Sequence, residues 1–234
     1  MGEVWQGVTD AVRLLLAGDR EVVEVTLRSL WVSGLALALA LALGVPLGGL
    51  LAALEFPGRR LAVAAVNTGM AAPPVVVGLL VVLALTRNGP LGGLRLLYTG
   101  QAMVVAQTLI ALPVATGLVL AALQQVDPGL RQQLAALGAG RLQTLLLLLR
   151  EVRVALLAAV MAAFGAVISE VGAVMMVGGN IRGQTQVLTT AIVQETRSGR
   201  YAAAIALAVV LMALAFAANL ALTVLQQRGR RRTG

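Results

Sequence analysis

Apolar positions in this chain fall in long uncharged runs, and short segments between them carry nearly all of the charge. Crossing a hydrocarbon layer about 30 Å thick takes roughly 20 helical residues at about 1.5 Å each. Ser29 to Leu54 meets that length without a charge and ends in the turn Glu55-Phe56-Pro57-Gly58 before Arg59 and Arg60. Leu61 to Leu85 is a second crossing, interrupted by Pro73-Pro74, and a polar Gly/Pro loop, Thr86 to Gly100, leads to a third over Gln101 to Leu123. Val154 to Val177 is the fourth, broken by Gly178-Gly179-Asn180, and Tyr201 to Leu225 is the fifth. Thr185 to Gln194 is apolar but too short to span, which predicts a re-entrant or surface helix. Upstream, Val4, Val8, Ala11, Val12, Leu15 and Leu16 recur at helical spacing among charges, so residues 1–28 read as an amphipathic surface segment.

The expected fold class is therefore all-α integral membrane, five transmembrane helices in one domain over residues 29–227, with a basic tail over 228–234. Five crossings place the termini on opposite sides. Composition agrees: 59% of residues are hydrophobic and 12% charged, against roughly 45–50% and 25% in soluble domains. The formal charge of +8 rests on arginine alone. Those arginines flank apolar runs instead of forming one basic face with aromatic neighbours, so no nucleic-acid partner is expected. With the C-terminus in the cytoplasm, ten arginines fall inside, led by Arg59-Arg60 and the cluster Arg228, Arg230, Arg231 and Arg232, and eight outside. That orientation makes residues 127–153 a cytoplasmic loop.

The chemistry on offer is narrow. Without Cys or His there is no thiolate catalysis, no commonplace metal ligand and no proton shuttle, so no catalytic residue, metal or cofactor is expected. Without Lys there is no G-x-x-x-x-G-K-[ST] phosphate loop, and any ATP-derived energy must come from another subunit.

Asp127-Pro128-Gly129 signals a helix start, and Gly138-Ala139-Gly140 then lets one helix end and another begin at an angle, before Arg141. Read alone, this is a short rod lying on the membrane face or an ordinary interhelical loop. The stretch resembles the cytoplasmic "EAA" loop of ABC importer permeases, in which an acid-Ala-Ala triplet precedes a Gly by three residues. Counting back from Gly138 puts Gln132 in the acid's place, with Gln133 and Leu134 for the alanines, so the resemblance rests on Ala135-Ala136-Leu137-Gly138-Ala139 and Arg141. In that family the loop is a coupling helix that docks on the ATPase subunit, which implies this role for Gln132, Ala135, Ala136, Leu137, Gly138, Ala139 and Arg141.

The likeness extends further. Ala72-Pro73-Pro74-Val75-Val76-Val77-Gly78-Leu79 resembles the second core helix of the molybdate, tungstate and sulfate branch. Arg150-Glu151-Val152-Arg153, then Ile168-Ser169-Glu170-Val171-Gly172 through Asn180-Ile181 and Thr185 to Thr196, is similar to tungstate-importer permeases. The resemblance implies a homodimeric permease subunit for an oxyanion, tungstate first and molybdate or sulfate as alternatives, served by a cytoplasmic ABC ATPase dimer and an extracytoplasmic oxyanion-binding protein, in the cell membrane. Candidate pathway or gate residues are Pro73, Pro74, Ser169, Glu170, Asn180, Thr185 and Thr189, with Gln184 and Thr190 as further polar groups. Glu170 is the one acid inside an apolar run; beside a dianion it would repel, which favours a structural or gate role. An energy-independent channel or carrier would instead need several intramembrane acids, and a plain anchor would need neither the Pro73-Pro74 kink nor the polar break over 178–190.

Overall fold

The computed structural model describes residues 17–231 together with 9, 12 and 13, so Val4, Val8, Ala11, Leu15 and Leu16 of the predicted amphipathic segment lie outside the described residues. The first long helix, α1, runs Arg20–Ala53. It begins ahead of Ser29 because the Asp19 carboxylate accepts from the amides of Glu21 and Val22 at 2.9 and 3.1 Å. Its 34 residues exceed what the hydrocarbon layer requires, so the charged outer turns, where Arg20 pairs with Glu24 at 2.8 Å, stand clear of it.

The second predicted crossing is not one rod. It consists of α2 (Arg59–Ala71) and α3 (Pro74–Leu85), which meet at 104°. Two successive prolines withhold two amide donors, and each disfavours helical geometry in the residue before it, so Ala72 and Pro73 are extended. Next come α4 (Gly100–Gln124), α5 (Pro128–Ala136) and α6 (Arg141–Glu151). The fourth predicted crossing is likewise divided, into α7 (Arg153–Ile168) and α8 (Gly172–Gly178), with α6 set at 73° to α7. The predicted short helix is α9 (Leu188–Arg197), and α10 (Tyr201–Arg231) closes the chain. Among the described residues three helices, α1, α4 and α10, are long and apolar enough to cross unaided; counting the two bent pairs gives at most five.

Helix α4 is the central pillar, flanked by α1, α2, α3, α7 and α8. Ala36, Ala40, Gly44 and Gly48 recur every fourth residue of α1 and are buried against it. A Cβ placed on Gly44 would sit 2.8 Å from the Ala115 Cβ, and one on Gly48 would sit 2.6 Å from the Thr116 carbonyl oxygen. Lipid tails are as apolar as leucine, so burial alone does not join two such helices. Close backbone approach through small residues does. The same device recurs where Gly69 of α2 meets Pro113 and where Gly78 of α3 meets the backbone of Ala173.

The bundle has two differently built ends. At one, α5 and α6 fold over an apolar cluster of Val119, Leu123 and Leu148, with Leu130, Leu134 and Leu145 against it. Arg131 donates to the Leu123 carbonyl at 2.7 Å, capping the C-terminus of α4, where a cation also suits the helix dipole. At the other end, two fork-to-fork ion pairs, Glu21 with Arg182 and Glu195 with Arg200, line a cavity of about 220 Å³ with Val25, Ala191 and Leu207. Hydrogen bonding to Arg200 holds the Glu195 carboxyl below its ordinary 4.5 despite burial.

Two outcomes follow from these contacts. Gly48→Leu overpacks the α1–α4 seam and should lower stability in detergent by about 1–3 kcal/mol, whereas Gly34→Leu, which meets nothing within 4 Å, should be neutral in the same thermal melts. Because the folded-state pKa of Glu195 is depressed, its stabilisation is complete above 4.5 and lost as pH falls through the lower folded value. Melting temperatures of the wild type should decline more steeply below that pH than those of Glu195→Gln, which is destabilised already at neutral pH.

Candidate functional site

Two places carry unusual chemistry, the interrupted helices in the bundle and the hairpin at its α5 end. The interruptions lie side by side. A Cβ on Gly172 would be 2.8 Å from Val75 Cγ2, and Gly78 abuts Ala173, so α3 and α8 start at the same level and run in the same direction. Further along, Val81 and Leu85 share an apolar cluster with Val174 and Val177. Two helix breaks of independent origin, Pro73-Pro74 and Ser169-Glu170-Val171, therefore form one irregular patch within an apolar bundle. Irregular backbone at such depth is tolerated only where protein or a water-filled cavity satisfies it.

At the Ser169–Val171 break several freed groups find partners. Glu170 is buried, and its Oε1 accepts from the Ala173 amide at 2.8 Å, closing the first turn of α8. Its carbonyl oxygen accepts from the Thr189 hydroxyl at 2.8 Å, which brings the start of α9 down to the break. Gln107, buried in the middle of α4, donates Nε2 to the Val167 carbonyl at 2.9 Å, while its Oε1 has no partner among the described residues. Sequence reading missed Gln107; the signal was an amide inside the third apolar run. Ser169 and Pro73 are exposed on the bundle surface, the Ser169 hydroxyl donating to the Gly165 carbonyl at 2.6 Å.

Pro73, Pro74, Ser169, Glu170 and Thr189 are thus gathered at one level, and Asn180 and Thr185 are not among them. Thr185 is 3% exposed and stitches the turn after α8, donating to the Gly178 carbonyl and accepting from the Ile181 amide at 2.9 Å. Asn180, at φ 49°, donates to Gln194 Oε1 at 2.7 Å, the oxygen that Gln186 also reaches at 2.9 Å. Thr190 accepts from the Val187 amide at 3.1 Å. These polar groups brace the segment that carries α9.

At the α5 end, the Asp127 carboxylate accepts from the Gly129 amide at 2.7 Å and starts α5. Gly138 ends the turn at φ +77°, a left-handed geometry glycine adopts without the Cβ penalty, and the Gly140 amide donates to Gln143 Oε1 at 2.9 Å to start α6. One side of this hairpin is bound down by Leu130, Arg131 and Leu134. The other leaves Gln132, Ala135, Ala136, Gly138 and Arg141 exposed, Ala139 half-buried, and Leu137 83% exposed with Leu142 69% exposed close behind. Leu137 and Leu142 are thus large aliphatic side chains bared at and just after a tight turn.

Comparison with known proteins agrees with this architecture. Residues 44–231 match the family described as binding-protein-dependent transport system inner membrane component. The chain is 39% identical over 227 residues to the tungstate uptake system permease protein TupB of Peptoclostridium acidaminophilum, a match covering 97% of this chain and 100% of that protein. It is 35% identical to the protein of the same name from Campylobacter jejuni, over 92% of this chain and 90% of the relative. The molybdenum transport system permease protein ModB of Escherichia coli K12 is 28% identical over 90% of this chain and 96% of its own length. Among solved structures, an inward-facing form of the MetNI methionine ABC transporter superposes with a TM-score of 0.74 at 22% identity, covering 89% of this chain and 96% of the other, which establishes a shared fold. A bacterial ABC transporter involved in import of the polysaccharide alginate gives 0.73 at 18% identity, over 97% and 84%. With four-fifths of its length inside that profile and near-complete alignments to permease subunits, this chain belongs to the family of inner-membrane components of binding-protein-dependent transport systems.

Proposed function

We propose that this permease imports an oxyanion, tungstate in the first place, as a homodimer driven by a separate ABC ATPase pair and supplied by an extracytoplasmic oxyanion-binding protein. The observation that carries this reading is the α5–α6 hairpin, which is anchored to the bundle by Arg131, Leu130 and Leu134 and offers Leu137 to the outside. A rigid foot with an exposed apolar tip is what a motor subunit can grip. On this reading the hairpin and the end of α10 face the cytoplasm, which agrees with the arginines beyond Gln227. Closure of the ATPase pair then displaces the hairpins and swings the attached helices, so that the cavity between two copies opens alternately to each side.

The paired helix breaks are the place where cargo passes. Helix α3 begins there, and the positive end of its dipole favours an anion without gripping it, as release requires. The Glu170 carboxylate is engaged on the α8 backbone, which suits a gate-shaping part and is a poor starting point for ion coupling in a self-powered carrier. Tungstate is placed first because the two TupB proteins are 39% and 35% identical to this chain, against 28% for ModB.

Extraction in mild detergent after coexpression with the neighbouring genes should bring down an ATPase; a chain that purifies alone contradicts the reading. Leu137→Asp, which puts a charge on the exposed tip, should cut radiotungstate uptake at least about tenfold, the cost of roughly 1.4 kcal/mol of lost coupling, while membrane insertion stays normal. Gly138→Asp adds a Cβ where φ is +77° and should behave the same way.

A further inference from the structure

The outer turns of α1 hold the segment before α9 by a set of contacts that neither the family assignment nor the oxyanion reading explains. Glu21 pairs with Arg182. Two turns on, Arg28 donates Nη1 to the Gln186 carbonyl at 2.9 Å and Nη2 to the Gly183 carbonyl at 2.8 Å. Next to it, Ser29 Oγ accepts from the Leu188 amide at 2.7 Å and donates to the Val25 carbonyl at 2.8 Å. Residues 21, 28 and 29 share one helix face, since seven or eight positions return to the same side of a 3.6-residue period. One face of α1 therefore grips residues 182–188 at three successive heights.

Arg28 is the centre of that grip. It is half-buried, and no carboxylate among the described residues lies within ion-pair distance, so two backbone carbonyls receive its charge. A charged donor makes such bonds roughly twice as strong as neutral ones, and the planar guanidinium spans two acceptors that an ammonium reaches less well. Internally the gripped segment is stiff. Gln194 Oε1 bridges Asn180 and Gln186, and Thr185 ties Gly178 to Ile181. Immediately after it, Thr189 donates to the Glu170 carbonyl at the α7–α8 break. A shift of outer α1 is thereby handed to the break instead of being absorbed by a loop.

We propose that Arg28 is a positioning residue for transport: with Ser29 it makes outer α1 a rail that carries the braced segment over 180–188 and, through Thr189, sets the α7–α8 break. This rests on the importer reading above. It adds a mechanical route from the outer end, where the ion pairs lie, to the gathered helix breaks.

The test uses the complete complex of permease, ATPase and binding protein in proteoliposomes, with tungstate uptake and ATPase rate measured together. Arg28→Gln should leave ATPase activity without binding protein within about twofold of wild type, yet reduce uptake and binding-protein stimulation by roughly 5- to 150-fold, the range of ordinary coupling energies. Arg28→Lys should recover part of both. Thr189→Ala should likewise reduce uptake, and the double variant Arg28→Gln with Thr189→Ala should take up tungstate no worse than the poorer single one, because both cut the same link. Wild-type uptake in Arg28→Gln, or losses that multiply in the double variant, overturns the proposal. So does loss of basal ATPase activity in every Arg28 variant, which would make Arg28 a folding residue. If the wild-type complex itself imports none of tungstate, molybdate and sulfate, the importer reading fails instead.

Discussion

The close approach of α1 and α4 is the constraint on which the rest of the structure depends. In a bilayer two apolar helices gain little from hiding leucines from each other, because lipid does that equally well. What favours association is dense van der Waals contact, and Ala36, Ala40, Gly44 and Gly48 permit it by leaving no side chain between the backbones. With that seam closed, α4 becomes a post whose remaining faces receive α2, α3, α7 and α8. The larger apolar side chains of α1, such as Leu35, Leu39, Leu43 and Leu47, then face outward.

A rigid post allows the helices around it to be broken. The α2–α3 elbow and the α7–α8 interruption both leave backbone groups outside a helix, and at the second of them side chains of α4, α9 and the break itself supply partners. Gln107 takes the Val167 carbonyl, Glu170 the Ala173 amide, and Thr189 the Glu170 carbonyl. The result is an apolar bundle with one irregular level, a stiff foot at one end and a charged closure at the other. The foot is packed on α4, whose C-terminus its Arg131 caps, and well-packed cores transmit strain.

Much of the candidate site was legible beforehand, for reasons that can be named. Pro73-Pro74 has to interrupt a helix anywhere, because the missing donors and the ring clash are local. Asp127-Pro128-Gly129 and Gly138 mark a start and a stop by local chemistry too, and both stand where expected. The pairing of the two breaks was not legible, since Val75 and Gly172 are far apart in sequence and meet only in the folded bundle. Nor was the role of Thr185, a donor in an apolar setting that reads equally well as a pathway group until its hydroxyl is seen spent on Gly178 and Ile181. The division of the fourth apolar run at Ser169–Val171 was hidden because the run is long enough to span as one helix, within which Ser169 and Glu170 read as isolated polar positions.

By itself the sequence determined a multi-pass helical protein, a side-chain repertoire without Cys, His or Lys, and a Gly-hinged hairpin between apolar runs. Run length, residue type and local stereochemistry suffice for each of these. Tertiary structure alone decided which face of each uniformly apolar helix is inside, that Arg28 and Ser29 hold the segment before α9, and that the breaks at Pro73 and Glu170 share one level. An all-round apolar helix has no amphipathic signal to declare its buried side. Its orientation is set by which small residues let a neighbour approach and which stranded carbonyl finds a donor, and those are properties of pairs of segments that no single stretch contains.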